Sequence, residues 1–120
     1  MVEKTMIIKA VRDLAEKYPE TIYPRHSVPY CKYTEGDCGP GSGCLIGQAL
    51  QACGMKEKAE WADAQGKTSV MLLGLEVSSD ELAWLKDVQL YQDRGRTWKK
   101  AIDRADFYAG LRQTNKTEKQ

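Results

Sequence analysis

The chain carries a single histidine, His26, among 120 residues, so any thiol nucleophile has only that one imidazole to serve as its base. It lacks an excess of charge of either sign. Eighteen basic and seventeen acidic residues leave a formal charge of +1, and no global field draws the molecule toward nucleic acid or membrane. No apolar run approaches the length of a membrane span. The N-terminal residues show no signal-peptide pattern, and a cytoplasmic protein is expected. Paired C-x-x-C spacings are missing too. The cysteines are Cys31, Cys38, Cys44 and Cys53, and in a reducing compartment free structural thiols are the default reading. Two alternatives remain. His26, Cys31, Cys38 and Cys44 could converge through a flexible loop on one tetrahedral zinc ion, or Cys31 and Cys38 could bridge a hairpin in air. No other cofactor is expected.

What the chain does have is a glycine-rich loop running into a short helix, Asp37-Cys38-Gly39-Pro40-Gly41-Ser42-Gly43-Cys44-Leu45-Ile46-Gly47-Gln48-Ala49-Leu50. Ser42 is the expected N-cap of a helix over residues 43–53, with Gly54 ending it in the left-handed conformation. At 100° per residue, Leu45, Ile46, Ala49, Leu50, Ala52 and Cys53 share a face suited to burial. Cys44, Gly47, Gln48 and Gln51 fall on the other side, and Cys44 sits where the helix dipole favours a thiolate. Gly47 costs about 1 kcal/mol relative to alanine inside a helix. That cost predicts a close approach there, by a backbone segment or by a partner.

Around this loop the chain predicts one domain over residues 1–113, mainly helical α+β, with five or six short helices, a small hairpin and a polar tail from Thr114. Residues 3–18 form an amphipathic helix with Ile7, Val11, Leu14 and Tyr18 at helical spacing, and Pro19 ends it. Pro19, Pro24 and Pro29 exclude helix from the next segment, and a strand is expected near residues 28–33 before a turn at 35–37. Residues 56–64 form a short helix with Ala59 and either Trp61 or Ala62 inward, closed by Gly66; another follows over residues 70–73. Ser78 and Glu81 spell a capping box, with Val77 and Leu82 as its hydrophobic staple. The helix behind it buries Trp84, Leu85, Val88 and Tyr91 and breaks at Asp93-Arg94-Gly95. Thr97 then caps the last helix, whose apolar stripe is Trp98, Ala101, Ile102, Ala105 and Ala109.

Two resemblances follow from these motifs. Asp37-Cys38-Gly39-Pro40 resembles the nucleophile segment of papain-like bacteriocin-processing peptidases, which would place the nucleophile on Cys38. In that family the histidine follows the nucleophile, whereas His26 precedes it, so the base is missing and a peptidase is not expected. The helix Gly43-Cys44-Leu45-Ile46-Gly47-Gln48-Ala49-Leu50 together with Tyr91-Gln92-Asp93-Arg94-Gly95-Arg96-Thr97-Trp98 resembles small accessory proteins of bacteriophages infecting mycobacteria and related actinobacteria. The likeness covers residues 28–105. It implies action inside a bacterial host and transfers no catalytic residue.

Three functions compete. The first expectation is a non-catalytic protein that binds a host or phage protein through Tyr30, Tyr33, Cys44, Gly47, Gln48 and Gln51. The alternative is nucleic-acid binding through Arg94, Arg96, Lys99, Lys100 and Arg104, in a locally basic segment with a helix-turn-helix corner at Gly95. Against it, Lys99 and Asp103 are spaced to pair with each other. The third is a cysteine-dependent enzyme using Cys38 or Cys44, or the zinc module already named.

Overall fold

A computed structural model describes residues 6–23, 33–34, 37–38, 40–64 and 77–118, with the backbone alone at 37–38 and 113–118. It contains five helices and one pair of two-residue strands: α1 (Met6–Lys17), β1 (Asp37–Cys38), β2 (Gly41–Ser42), α2 (Leu45–Ala52), α3 (Lys56–Ala64), α4 (Ser79–Asp93) and α5 (Trp98–Glu118). The protein is therefore mainly helical. The antiparallel strand pair places Asp37 opposite Ser42 and Cys38 opposite Gly41. The strand expected near residues 28–33, the turn at 35–37 and the helix over 70–73 fall wholly or largely outside the described residues.

The central element is α2, which packs against α1, α3 and α4. Leu45, Ile46, Ala49 and Leu50 are fully buried. Each of the larger three gains about 1.5–3 kcal/mol from leaving water. α1 supplies Ile7, Val11 and Ala15 to this core, while Tyr18 stays exposed at the end of its stripe. α3 contributes Ala59 and Ala62, which settles the inward position: Trp61 is half exposed and Ala62 is buried.

α4 and α5 make the largest helix–helix contact in the fold. Ser78 and Glu81 form the capping box, with Glu81 N–H donating to Ser78 Oγ and Ser78 N–H donating to the Glu81 carboxylate. Gly95, at φ +84°, ends α4, and Gly95 N–H and Arg96 N–H return to the carbonyls of Gln92 and Tyr91. Thr97 Oγ1 accepts from Lys100 N–H as expected of a cap. The first amides of α5 find their acceptors elsewhere: Trp98 N–H donates to Thr21 O at 2.8 Å and Lys99 N–H to Pro19 O at 3.0 Å. The chain leaving α1 thus caps α5, and Trp98 is completely buried beneath it.

One carboxylate joins three helices. Asp106 on α5 accepts from both terminal guanidinium nitrogens of Arg12 on α1, Nη2 at 2.7 Å and Nη1 at 3.1 Å, and from the indole N–H of Trp84 on α4 at 2.8 Å. The Arg12 guanidinium also lies 4.7 Å above the Trp84 ring. Burial alone would raise the Asp106 pKa. The hydrogen bonds from Arg12 and Trp84, with the charge of Arg12, outweigh it and hold the carboxyl below its ordinary value.

Candidate functional site

The α2 surface expected to meet a partner is occupied by the protein's own chain. Tyr33 and Thr34 lie across the start of α2, so that a Cβ on Gly47 would stand 1.9 Å from the Tyr33 carbonyl oxygen and 2.4 Å from its Cα. A Cβ on Gly43, at φ +95°, would likewise stand 1.9 Å from the same carbonyl oxygen. Gln51 Nε2 donates to Tyr33 O at 3.1 Å and to Ser42 O at 3.0 Å. Asp63 on α3 accepts from Tyr33 N–H, Thr34 N–H and the Thr34 hydroxyl. The Tyr33 hydroxyl donates to Gln89 Oε1 on α4 at 2.7 Å. Tyr33 is therefore buried and bonded to α2, α3 and α4 at once. The close approach that Gly47 predicts is met by backbone.

This arrangement corrects several expectations. Cys44, Gly47 and Gln48 are buried and Gln51 is half-buried, so they form an internal joint and not an open patch. Ala52, expected inside, is exposed. α2 begins at Leu45, not residue 43, and its N-cap is Cys44 without a side-chain cap bond; Ser42 does not fill that role. The missing acceptor comes from α4: Gln92 Oε1 accepts the Leu45 N–H across the interior. Gln48 Nε2 closes the loop by donating to Gly43 O at 2.9 Å. Tyr30 lies outside the described residues.

The thiols divide in the same way. Cys44 is fully buried and Cys53 nearly so, both as free thiols, and burial pushes the Cys53 thiol above its ordinary pKa. A nucleophile needs access to its substrate, and Cys44 has none. Of the zinc set, His26 and Cys31 lie outside the described residues and Cys38 is described by its backbone alone. Among the described residues no three His, Cys, Asp or Glu side chains are grouped as a metal site.

The basic set is arranged differently. Arg94, Arg96, Lys99, Lys100 and Arg104 are all exposed. Lys99 turns toward α1, pairs with Asp103 at 3.4 Å, and lines a groove with Glu16 and Glu20. The others flank the turn between α4 and α5 or lie in the first turns of α5. The Arg94 guanidinium stands 5.6 Å from the centre of the Tyr91 ring. Arg94 and Arg104 both act electrostatically on the Tyr91 phenol. Lys100 is one helical turn before Arg104. Among the described residues, Arg94, Arg96, Lys100 and Arg104 enter no ion pair.

Three aromatic rings continue this surface. Tyr91 stacks on Tyr108 with ring centres 6.2 Å apart, and its hydroxyl donates to that of Tyr108 at 3.1 Å. This bond is the largest influence on the Tyr91 phenol and raises its pKa, against the lowering effect of the two arginines. Phe107 meets Tyr108 edge to face at 5.5 Å and is 56% exposed. Tyr91, expected among the buried residues of α4, is half-buried and packs against the core, whereas Phe107 and Tyr108 are not among the residues singled out from the sequence. The signal was present: Phe107 follows Lys100 by seven positions and Arg104 by three, which puts a phenyl ring on the charged face of an amphipathic helix.

The corner is not a helix-turn-helix. Tyr91 meets Tyr108, and one turn further from the corner Asp87 meets Arg112 at 3.1 Å. The two helices therefore run side by side as an αα-hairpin, whereas a helix-turn-helix crosses steeply at its turn. Comparison with protein families, with curated proteins and with solved structures shows no match to this chain.

Proposed function

We propose that the protein binds nucleic acid through the outer surface of the α4–α5 corner, with Arg94, Arg96, Lys100 and Arg104 as phosphate contacts. One observation carries the reading: Arg94 and Arg104 both act on Tyr91 of the aromatic cluster, and among the described residues neither enters an ion pair. Cationic side chains interleaved with aromatic rings suit a strand whose phosphates and bases alternate. The balanced total charge fits a local contact and excludes a protein coated in positive field. In the setting implied by the resemblance to phage proteins, the ligand is phage or host nucleic acid. The protein-partner reading draws no support from the start of α2, because a partner there would have to displace Tyr33.

Gel retardation of labelled DNA and RNA strands at low salt tests this directly. The native protein is expected to shift the strands, and a variant with Arg94, Arg96, Lys100 and Arg104 replaced by alanine is expected to leave them unshifted. Absence of a shift with the native protein overturns the reading.

A further inference from the structure

Resting on the nucleic-acid reading, we infer that Phe107 is a stacking platform for an unpaired base, which makes the ligand single-stranded nucleic acid. Phe107 is the most exposed of the large hydrophobic side chains described, and it lies outside the core stripe of α5. At 56% exposure it keeps much of its surface in water, beyond what its contact with Tyr108 covers. Its ring is also backed on one side by a chain of aromatic contacts. Tyr108 meets it at an interplanar angle of 72°, Tyr108 is stacked and hydrogen-bonded to Tyr91, and Tyr91 is covered by Arg94. A ring already backed on one side loses less freedom than a free one when a base settles on it.

Charge identifies the occupant. Arg104 precedes Phe107 by one turn on the same helix face, and Lys100 precedes Arg104 by another, so a ring contact and two phosphate contacts run along one line. A purely apolar partner would leave those cations uncompensated. A duplex would offer the phosphates but keep its bases stacked inside. An unpaired strand satisfies both, because every base presents a π-face and every linkage a phosphate.

The test compares a labelled single strand carrying bases, an abasic strand of equal length and a duplex, each as substrate for native protein and for F107A and F107W. The base-bearing strand is expected to bind about tenfold more tightly than the abasic one. F107A is expected to abolish that advantage while keeping the residual phosphate-dependent affinity, and F107W is expected to restore it. Running deoxyribose and ribose strands in parallel identifies which one supplies the base. Equal affinity for all three ligands, or no effect of F107A, overturns the inference and leaves the nucleic-acid reading standing. Binding to none of them overturns both. A native protein that is dimeric by light scattering and becomes monomeric with F107A assigns the ring to a second copy of the chain and also overturns the inference.

Discussion

Gly47 and Tyr33 are in backbone contact so close that no side chain fits between them: a Cβ at position 47 would lie 1.9 Å from the Tyr33 carbonyl oxygen. The obstacle is main chain, held by Gln51 and Asp63, and it cannot swing aside as the end of a flexible side chain could. Gly47→Ala is therefore expected to lose at least about 2 kcal/mol by chemical denaturation, despite the better helix propensity of alanine. Gly110→Ala, in a helix with open space around it, is expected to gain about 0.5–1 kcal/mol. Equal and favourable effects at both positions would show that Tyr33 does not lie across α2.

The Arg12–Asp106 pair makes stability depend on acid. The folded pKa of Asp106 is below the ordinary value of 3.8, so its stabilising contribution is complete above that value. It is lost as pH falls through the folded pKa. Denaturation midpoints measured from neutral pH down to about pH 3 should fall more steeply in the native protein than in Asp106→Asn. Parallel profiles would show that the carboxylate is not held by Arg12 and Trp84.

Gln92 completes a helix that is remote from it in sequence. Replacing it with leucine removes the acceptor of Leu45 N–H and leaves a buried amide unpaired, at a cost of about 1–3 kcal/mol. Hydrogen exchange should show the Leu45 amide losing protection first. Unchanged exchange at Leu45 would place its acceptor elsewhere.

The buried thiols should be silent in the folded state. Alkylation followed by peptide mapping is expected to leave Cys44 and Cys53 unmodified in the native protein and fully modified after denaturant. Cys44 labelling at the rate of a free exposed thiol would restore the case for a nucleophile.

Much of the helical framework is legible in the sequence, because it rests on local rules. The Ser78–Glu81 box, the Gly95 stop and the Trp98-Ala101-Ile102-Ala105 stripe each depend on residues within two turns of one another. The reading of α2 fails where distant residues intervene. Nothing local reveals that Gln92 caps Leu45, or that Tyr33 covers Gly47, and the polar side of α2 therefore looked open. Gly47 announced a close contact but not its author. At the corner, the cations were legible from composition, whereas the aromatic surface required knowing that Tyr91 and Tyr108 face each other across two helices.

Phosphate binding by Arg94, Arg96, Lys100 and Arg104 is tested most directly by the salt dependence of binding. Fluorescence anisotropy of a labelled strand of about 15 nucleotides should show affinity falling roughly tenfold or more between about 50 and 200 mM salt. The variant lacking those four cations should bind more weakly and lose most of that slope. Affinity independent of salt, or a slope unchanged in the variant, contradicts the account.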